Sequence, residues 1–188
     1  MPCSGCRTQW APNALEPQLA AINIGFADIS TVVLSHLHAD HSGHIKRLTH
    51  ADFYLQRREM DHAMSGAAGP AWFPTDYDLP DLRWPLLDGD HSLMPGLDLL
   101  DTPGHTPGHM SALLNLPKTG PVLLAADVGD LMENFREEIL PGEASDDGQA
   151  LASIRRINRI VADTGALLML THDPDLLMGL RLAPESYD

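Results

Sequence analysis

The sequence predicts a single domain of mixed α and β structure, an α+β fold that occupies residues 1–188. Two observations support this fold class. Short apolar runs with the length of strands alternate with segments of helical periodicity, and 188 residues correspond to about one domain at ~150 residues per domain. The chain is long enough to bury a hydrophobic core.

The first elements follow from the local residue pattern. Residues 31–34, Thr-Val-Val-Leu, form a β-branched run between polar neighbours, which is typical of a buried strand. Residues 51–56 predict a second strand, and residues 57–65 predict a short helix. Residues 66–80 are rich in Gly, Pro and aromatic side chains without periodicity, so we expect a long loop that acts as a lid or pocket wall.

The second half of the chain predicts four more strands and one long helix. The apolar runs that predict strands are residues 97–100, 112–116, 122–126 and 167–170. Residues 150–162 carry apolar side chains at helical spacing, with arginines on the other side. Asp146 or Ser145 is expected to cap this helix, and Gly165 is expected to end it.

Composition limits the partners that the protein can have. Acids outnumber bases 26 to 12, which gives a net charge of −14 and argues against nucleic acids and anionic membrane surfaces. There is no apolar run of about 18 residues for a spanning helix and no signal-peptide pattern, so we expect a cytoplasmic protein that acts on a small molecule. Cys3 and Cys6 form a lone C-x-x-C, which we interpret as two reduced thiols because a structural zinc site needs a second pair.

Ten histidines stand out in the composition, and several of them cluster. His36, His38, Asp40 and His41 lie within a stretch of six residues shortly after the first predicted strand. These side chains would crowd lone pairs and charge together unless a cation were present, and they suit Zn²⁺ and similar ions. An extended backbone would point His36 and His38 to one side, and a turn would direct Asp40 and His41 towards a neighbouring position. The segment therefore predicts the beginning of two metal sites.

Further candidate ligands follow later strands. His109 ends the run Thr-Pro-Gly-His-Thr-Pro-Gly-His, Asp127 follows the strand at residues 122–126, and His172 follows the strand at residues 167–170. Strand ends at one edge of a sheet are a natural place to assemble a shared site. By contrast, His105 is interpreted as a turn residue or as a hydrogen-bonding support for a ligand.

Charge arithmetic favours two metal ions over one. Two divalent cations bring +4, Asp40 and Asp127 bring −2 and a bridging hydroxide brings −1, which leaves about +1 with neutral imidazoles. A single catalytic Zn²⁺ needs only three protein ligands. Asp127 could bridge two ions ~3.5–4 Å apart, and such ions make hydroxide available at neutral pH. The expected chemistry is hydrolysis with two divalent ions, for which Zn²⁺ is the first choice and Fe²⁺, Mn²⁺ and Co²⁺ also fit.

Other side chains near these motifs have less specific interpretations. His44 is expected to be a solvated or capping residue on a helix after the cluster, and Asp130 is expected to be a solvated acid. The loop aromatics could equally line a substrate pocket or attach the loop to the core; they are Trp72, Phe73 and Tyr77.

The combined motifs resemble the metallo-β-lactamase-fold hydrolases over residues 28–175. This resemblance implies an αββα sandwich with the site along one edge of the sheets. It implies two ligand sets and a bridge: His36, His38 and His109 for one metal, Asp40, His41 and His172 for the other, and Asp127 between them. Family members usually carry a β-hairpin region before the first motif, but only 35 residues precede His36. We therefore expect that part of the N-terminal β region is lacking and that an exposed sheet edge could support a homodimer.

Within that superfamily, residues 102–111, residues 127–135 and the closing Thr-His-Asp-Pro look most like the N-acyl homoserine lactone lactonases. The resemblance implies a quorum-quenching enzyme in which a metal-bridging hydroxide attacks the lactone carbonyl and Asp40 also acts as a proton shuttle. Many such lactonases have tyrosine three residues after the bridging aspartate, where this chain has Asp130. Two alternatives stay open: a glyoxalase II-like thioesterase with the same ligands, and a truncated, inactive family member.

Overall fold

The computed structural model of the chain describes residues 14–188. The helices are α1 (Leu15–Ala21), α2 (Ala39–Ser42), α3 (Arg57–Met64), α4 (Pro74–Tyr77), α5 (Met132–Glu137), α6 (Asp147–Thr164) and α7 (Pro174–Met178). The strands are β1 (Thr31–Val33), β2 (Asp52–Gln56), β3 (Leu86–Leu87), β4 (His91–Met94), β5 (Leu97–Asp101), β6 (Met110–Leu116), β7 (Gly120–Ala126) and β8 (Leu167–Leu170). Among the described helices, none combines the length and hydropathy needed to cross a membrane.

The strands form two sheets. The three-stranded sheet has the order β1-β2-β3 and is parallel. The five-stranded sheet has the order β4-β5-β6-β7-β8; its first four strands are antiparallel, and β8 runs parallel to β7. Because parallel neighbours need a crossover connection, α5 and α6 join β7 to β8 across the outer face of this sheet.

Three clusters of buried apolar side chains define the layers. Ile154 of α6 belongs to a cluster with Leu123 of β7, outside the five-stranded sheet. Tyr77 of α4 belongs to a second cluster with Phe53 of β2, outside the three-stranded sheet. A third cluster, which includes Met110 of β6 and side chains of β1, β2 and β3, lies between the sheets. The layer order is therefore αββα, and the predicted fold class is confirmed.

The predicted elements are present with shifted boundaries. The long helix begins three residues earlier than predicted, where the Asp146 carboxylate accepts a 2.9 Å hydrogen bond from the backbone N–H of Gln149. It ends at Gly165, which adopts a left-handed φ of 69°. The loop at residues 66–80 contains the one-turn helix α4.

The sequence interpretation missed β3 and β4 for a physical reason. Strand β3 has only two residues, and β4 is largely exposed, so neither shows the alternation of buried and exposed residues that predicts a strand. In residues 14–30, the structure contains α1 and a 3₁₀ turn, Phe26–Asp28, and no strand. The expected incomplete N-terminal β region stays a prediction, and Cys3 and Cys6 lie outside the described residues.

The turn between β5 and β6 is pressed against α6 at Gly104. A Cβ atom at this position would lie 2.1 Å from the backbone N of Ala150, and Gly104 has a φ of +134°. The Gly104 carbonyl also accepts hydrogen bonds from the backbone N–H groups of Ser145 (2.7 Å) and Asp146 (3.1 Å). The start of α6 therefore supports the turn directly, and only glycine permits this approach.

We expect Gly104→Ala to destabilise the fold far more than Gly120→Ala. Gly120 also has a left-handed φ, +84°, but a Cβ there would have no neighbour within 4 Å. Gly120→Ala should lower the free energy of unfolding by about 1 kcal/mol through backbone strain alone, whereas Gly104→Ala adds overpacking and should cost at least ~3 kcal/mol. Urea unfolding followed by circular dichroism measures both, and equal losses would contradict the proposed close contact.

Candidate metal centre

The structure brings the predicted strand-end residues together at one edge of the sandwich. The segment with His36 and His38 follows β1 of one sheet, whereas Asp127 and His172 follow β7 and β8 of the other sheet. His105 lies in the turn between β5 and β6. Because β7 and β8 are parallel neighbours, their carboxyl ends reach the same edge. The site therefore draws on both sheets.

The first group of side chains contains three histidines. Possible ligand atoms of His36, His38 and His105 all lie within 4.8 Å of one another, and all three side chains are buried. Nδ1 of His38 and Nε2 of His105 are 3.1 Å apart. The Nε2 atoms of His36 and His38 are buried without a hydrogen-bond partner among the described residues. Burying an unsatisfied polar atom costs free energy, and a bound cation would satisfy such lone pairs, so the donor set fits a divalent ion.

The second group combines two carboxylates and two histidines. Possible ligand atoms of Asp40, His41, Asp127 and His172 lie within 4.8 Å of one another. Oδ2 of Asp40 lies 3.6 Å from Nε2 of His41 and 3.7 Å from Nε2 of His172. The Asp40 side chain is 60% exposed, so this group lies at the solvent side of the site.

Asp127 lies between the two groups. Its Oδ2 atom is 3.2 Å from Nε2 of His41 and 3.3 Å from Nε2 of His172 in the second group. The same oxygen is 3.6 Å from Nε2 of His36 and 3.5 Å from Nε2 of His105 in the first group. One buried carboxylate oxygen thus faces imidazoles of both groups, which is the placement that a bridging ligand requires.

The backbone and a neighbouring hydroxyl fix the orientation of Asp127. Its Oδ1 atom accepts a 2.7 Å hydrogen bond from the hydroxyl of Thr171. The preceding residue, Ala126, has a φ of 49°, a left-handed conformation that costs a non-glycine residue about 1 kcal/mol or more. The chain therefore turns sharply at the end of β7, so that Asp127 points into the site.

The surroundings set the protonation states in the site. Burial lowers the pKa of His38 to about 4, with a further contribution from His105, and burial also lowers the pKa of His36. Burial alone would raise the pKa of Asp127, but the hydrogen bond and charge of His41 hold it well below its usual value. Burial opposes a charge on His41, yet its contact with Asp127 raises the pKa of the imidazole. Neutral imidazoles and ionised carboxylates are the forms that bind metal.

His109, which was expected to bind the first metal, lies next to the first group, with its ring centroid 5.4 Å from that of His36. Both ring nitrogens of His109 already have protein partners. Nδ1 donates to the Thr102 carbonyl at 3.0 Å, and Nε2 accepts from the backbone N–H of Asp127 at 3.1 Å. Complete burial, followed by the effect of His105, lowers the pKa of His109 to about 3, so the ring is neutral. Nε2 of His109 thus faces the backbone N–H of Asp127, whereas Nε2 of His105 faces Nδ1 of His38. The assignment of His109 to the first metal stays a prediction, and His105 is a second candidate for that position.

Sequence spacing could not distinguish these two histidines, because each follows a Pro-Gly pair in the same short run. The distinguishing signal is in three dimensions. Nδ1 of His105 donates to the Glu143 carbonyl (3.1 Å), and its Nε2 points into the first group, whereas His109 lies beneath Asp127.

The remaining candidates have mixed outcomes. His44 is exposed, precedes a 3₁₀ turn and stacks on Phe26, in line with a solvated or capping residue. Asp130 is half-buried rather than solvated, since its carboxylate accepts a 2.8 Å hydrogen bond from the backbone N–H of Gly142. Trp72 contacts the site, with its ring 4.2 Å from that of His38, while Tyr77 is buried in the core.

A cleft of about 440 Å³ opens over the two groups. Its floor contains His38, His105 and Asp127, and its rim includes Asp130 and Glu143. Within residues 14–188, no lysine or arginine lines this cleft. The cleft therefore offers acidic groups and imidazoles but no fixed side-chain cation for an anionic substrate.

The chain is similar to known proteins over most of its length. Residues 4–172 match the profile of the Metallo-beta-lactamase superfamily. N-acyl homoserine lactonase AttM of Azorhizobium caulinodans is 37% identical over 179 residues, which cover 91% of this chain and 68% of that relative. N-acyl homoserine lactonase AiiA of Bacillus thuringiensis subsp. kurstaki is 33% identical over 158 residues, covering 84% of this chain and 61% of that relative.

Solved structures agree with these matches. A mutant of AiiA from B. thuringiensis with N-decanoyl-L-homoserine bound at the active site has a TM-score of 0.83 and 30% identity, and the match covers 93% of this chain and 68% of that chain. An N-acyl homoserine lactone hydrolase with its product N-hexanoyl-L-homoserine at the catalytic metal centre has the same score, identity and coverage. The chain spans about two thirds of the length of these structures.

The different environments of the two histidines predict different effects on metal content. His105→Gln should reduce the zinc retained after dialysis from two ions per chain to one, because an imidazole of the first group is removed. His109→Gln should retain both ions, because the glutamine amide can still donate to Thr102 and accept from Asp127. Elemental analysis measures this, and loss of an ion only from His109→Gln would contradict the assignment.

The lowered histidine pKa values predict acid sensitivity of the protein in the presence of a chelator. His36, His38 and His109 bind protons more weakly in the folded chain than at the usual pKa near 6.5. Their contribution to stability is therefore complete above pH ~6.5 and is lost progressively as the pH falls from ~6.5 through the folded values of about 4 and about 3. The raised pKa of His41 has the opposite effect on the pH dependence of stability, but it concerns one histidine whereas three have lowered pKa values.

We therefore expect the melting temperature in a chelating buffer to fall at each step from pH 7 to 6 to 5. Differential scanning calorimetry measures the change. A constant or rising melting temperature across this range would show that the buried histidines are not neutral in the folded protein.

Proposed function

Since the chain belongs to the metallo-beta-lactamase superfamily, we propose that it is a metal-dependent hydrolase that opens the lactone ring of N-acyl homoserine lactones. The relatives named above are N-acyl homoserine lactonases that match at least 84% of the chain. Hydrolysis of such a signal molecule would make the protein a quorum-quenching enzyme. The proposal includes two divalent ions, with zinc as the first choice.

One observation carries the proposal. A single buried carboxylate oxygen, Oδ2 of Asp127, lies 3.2–3.6 Å from imidazole nitrogens of four histidines that belong to two separate groups. A structural zinc site uses one closed set of four ligands, whereas two groups that share one carboxylate suit a two-metal hydrolase.

We assign the ligands from this arrangement. His36, His38 and His105 would hold one ion, with His109 as the alternative third imidazole that the sequence predicts. Asp40, His41 and His172 would hold the other ion, and Asp127 would be shared between the two. When bound, two such ions polarise a carbonyl oxygen and lower the pKa of water, so that hydroxide is available at neutral pH. Thr171 would keep Asp127 oriented through its hydrogen bond to Oδ1.

Asp40 is proposed to move the proton. Its side chain is the most exposed carboxylate of the site, and it lines the cleft in which substrate would lie. Opening a lactone by water forms one C–O bond and breaks the ring C–O bond, and the ring oxygen must then gain a proton. Asp40 can accept the proton that the attacking water loses and return it to this oxygen.

The cleft also favours a neutral substrate. The thioesterase alternative shares the ligands, but a glutathione thioester carries carboxylates that a basic side chain would have to hold. The lining described above contains no lysine or arginine, and it contains Asp130 and Glu143 at the rim. An ionised Asp130 would repel a carboxylate and cannot donate a hydrogen bond to one. A neutral lactone avoids this cost.

Three expectations from the sequence stay predictions: a cytoplasmic location, a homodimer, and zinc as the natural metal. The alternative of an inactive family member is decided by the assay below, because an inactive protein would open no lactone at any metal load.

The protein loaded with zinc should open N-hexanoyl homoserine lactone, releasing one proton per ring at neutral pH. A pH-stat measures that release directly. Asp127→Asn should lower kcat/KM by more than about 100-fold, since even groups that only support a metal ligand contribute 10–100-fold. Asp163→Asn, an exposed acid on α6, provides the matched control and should leave the rate unchanged.

The same preparation should act poorly on S-lactoylglutathione. If the thioester is cleaved and no lactone is opened, the thioesterase alternative replaces the proposal. If zinc-loaded protein hydrolyses neither substrate, the function proposed above is wrong.

A further inference from the structure

A buried carboxylate outside the proposed ligand sets connects the segments of the metal centre. Glu59 lies on α3, and its side chain is fully buried, with 0% exposure. Within residues 14–188, it forms no ion pair with a lysine or arginine. A carboxylate in such a place needs other donors, because an uncompensated buried charge is costly.

The donors that Glu59 uses all belong to segments of the site. Oε1 accepts a 3.0 Å hydrogen bond from the backbone N–H of Leu37, which lies between His36 and His38. Oε2 accepts a 3.0 Å hydrogen bond from the backbone N–H of Gly108, in the turn that carries His105. The two oxygens therefore tie together the two segments that supply the first group of histidines.

A third donor to Glu59 is the indole of Trp72, which packs beside the first group. Oε1 also lies 3.4 Å from Nε1 of Trp72. The indole ring contacts the ring of His38, and the backbones of Trp72 and His38 form an antiparallel β-bridge. The carboxylate thus fixes one side of His38 through the backbone of Leu37 and another side through Trp72.

The close approach of α3 to the turn depends on Gly108. A Cβ atom at Gly108 would lie 2.3 Å from the backbone N of Glu59 and 2.6 Å from its Cβ. The start of α3 and the turn are therefore in direct backbone contact, with no space for a side chain at residue 108. The carboxylate reaches both backbone N–H groups only in this arrangement.

From these contacts we propose that Glu59 is a positioning residue for the first metal. Its carboxylate fixes the spacing between the segment with His36 and His38 and the turn with His105, and this spacing sets the affinity for that ion. The inference rests on the proposed two-metal function. It assigns no role to Glu59 in the second group, since none of its hydrogen bonds reaches Asp40, His41 or His172.

The test is the zinc affinity of Glu59→Gln, measured for each ion by competition with a chromophoric chelator. Glutamine has the same size, but its NH₂ group would face one of the two backbone N–H donors and lose that hydrogen bond. We expect the affinity of one ion to fall about 10- to 100-fold while the affinity of the other is unchanged. The visible spectrum of the Co²⁺-substituted protein should change in parallel.

Asp61→Asn is the matched control, because Asp61 is an exposed acid on the same helix. It removes one negative charge from α3 and should leave both affinities unchanged. If Glu59 only stabilises the fold, Glu59→Gln would lower the melting temperature and still bind both ions as the wild type does. That result would overturn the proposal.

Glu59→Asp provides a second variant if Glu59→Gln does not fold. It keeps the carboxylate, but the shorter side chain cannot reach both backbone N–H groups. We therefore expect the same selective loss of affinity for one ion, and wild-type affinities for both ions would again overturn the proposal. Failure of the proposed function is recognised separately. A wild-type protein that binds two ions and opens no lactone would refute the lactonase activity, whereas unchanged zinc affinity in the Glu59 variants beside an active wild type would refute only the positioning role.

Discussion

The metal centre depends on one constraint: a carboxylate oxygen of Asp127 must face imidazoles that come from both sheets. In the segment after β1, Nε2 of His41 and Nε2 of His36 lie 3.2 Å and 3.6 Å from Oδ2 of Asp127. At the end of β8, Nε2 of His172 lies 3.3 Å from the same oxygen. A change of about an ångström in the distance between the sheets would break this arrangement. The apolar cluster between the sheets, which includes Met110, thus contributes to the geometry of the site as well as to stability.

The repeated Pro-Gly-His run is explained by two close contacts with helices. Gly104 lies against the start of α6, where a Cβ atom would be 2.1 Å from the backbone N of Ala150. Gly108 lies against the start of α3, where a Cβ atom would be 2.3 Å from the backbone N of Glu59. The turn is therefore held between two helices that belong to opposite faces of the sandwich. Each glycine serves a helix contact, and the two histidines that follow them have different roles, since His105 faces the first group and His109 supports Asp127 from below.

Much of this could be predicted from the sequence, because the strong signals are local. The strands that end before His36, Asp127 and His172 follow from short apolar runs, and the long helix follows from its periodicity and from Asp146 and Gly165. The separate partners of His105 and His109 could not be predicted, since the tautomer and partners of a histidine depend on groups far away in the sequence. The role of Glu59 could not be predicted either, because a single glutamate in a short polar helix is typical of a solvated residue until its burial is known.

The charges within the site explain how so many lone pairs are tolerated in a folded chain. Burial keeps His36, His38 and His109 neutral, which removes repulsion between imidazoles whose ring centroids lie as close as 4.6 Å. His41 is the exception, because its contact with the ionised Asp127 raises its pKa. The raised pKa of His41 therefore favours a positive charge beside the one buried carboxylate that the two groups share. A cation that binds both groups takes over this role, so the protein's own charges already define where positive charge is needed.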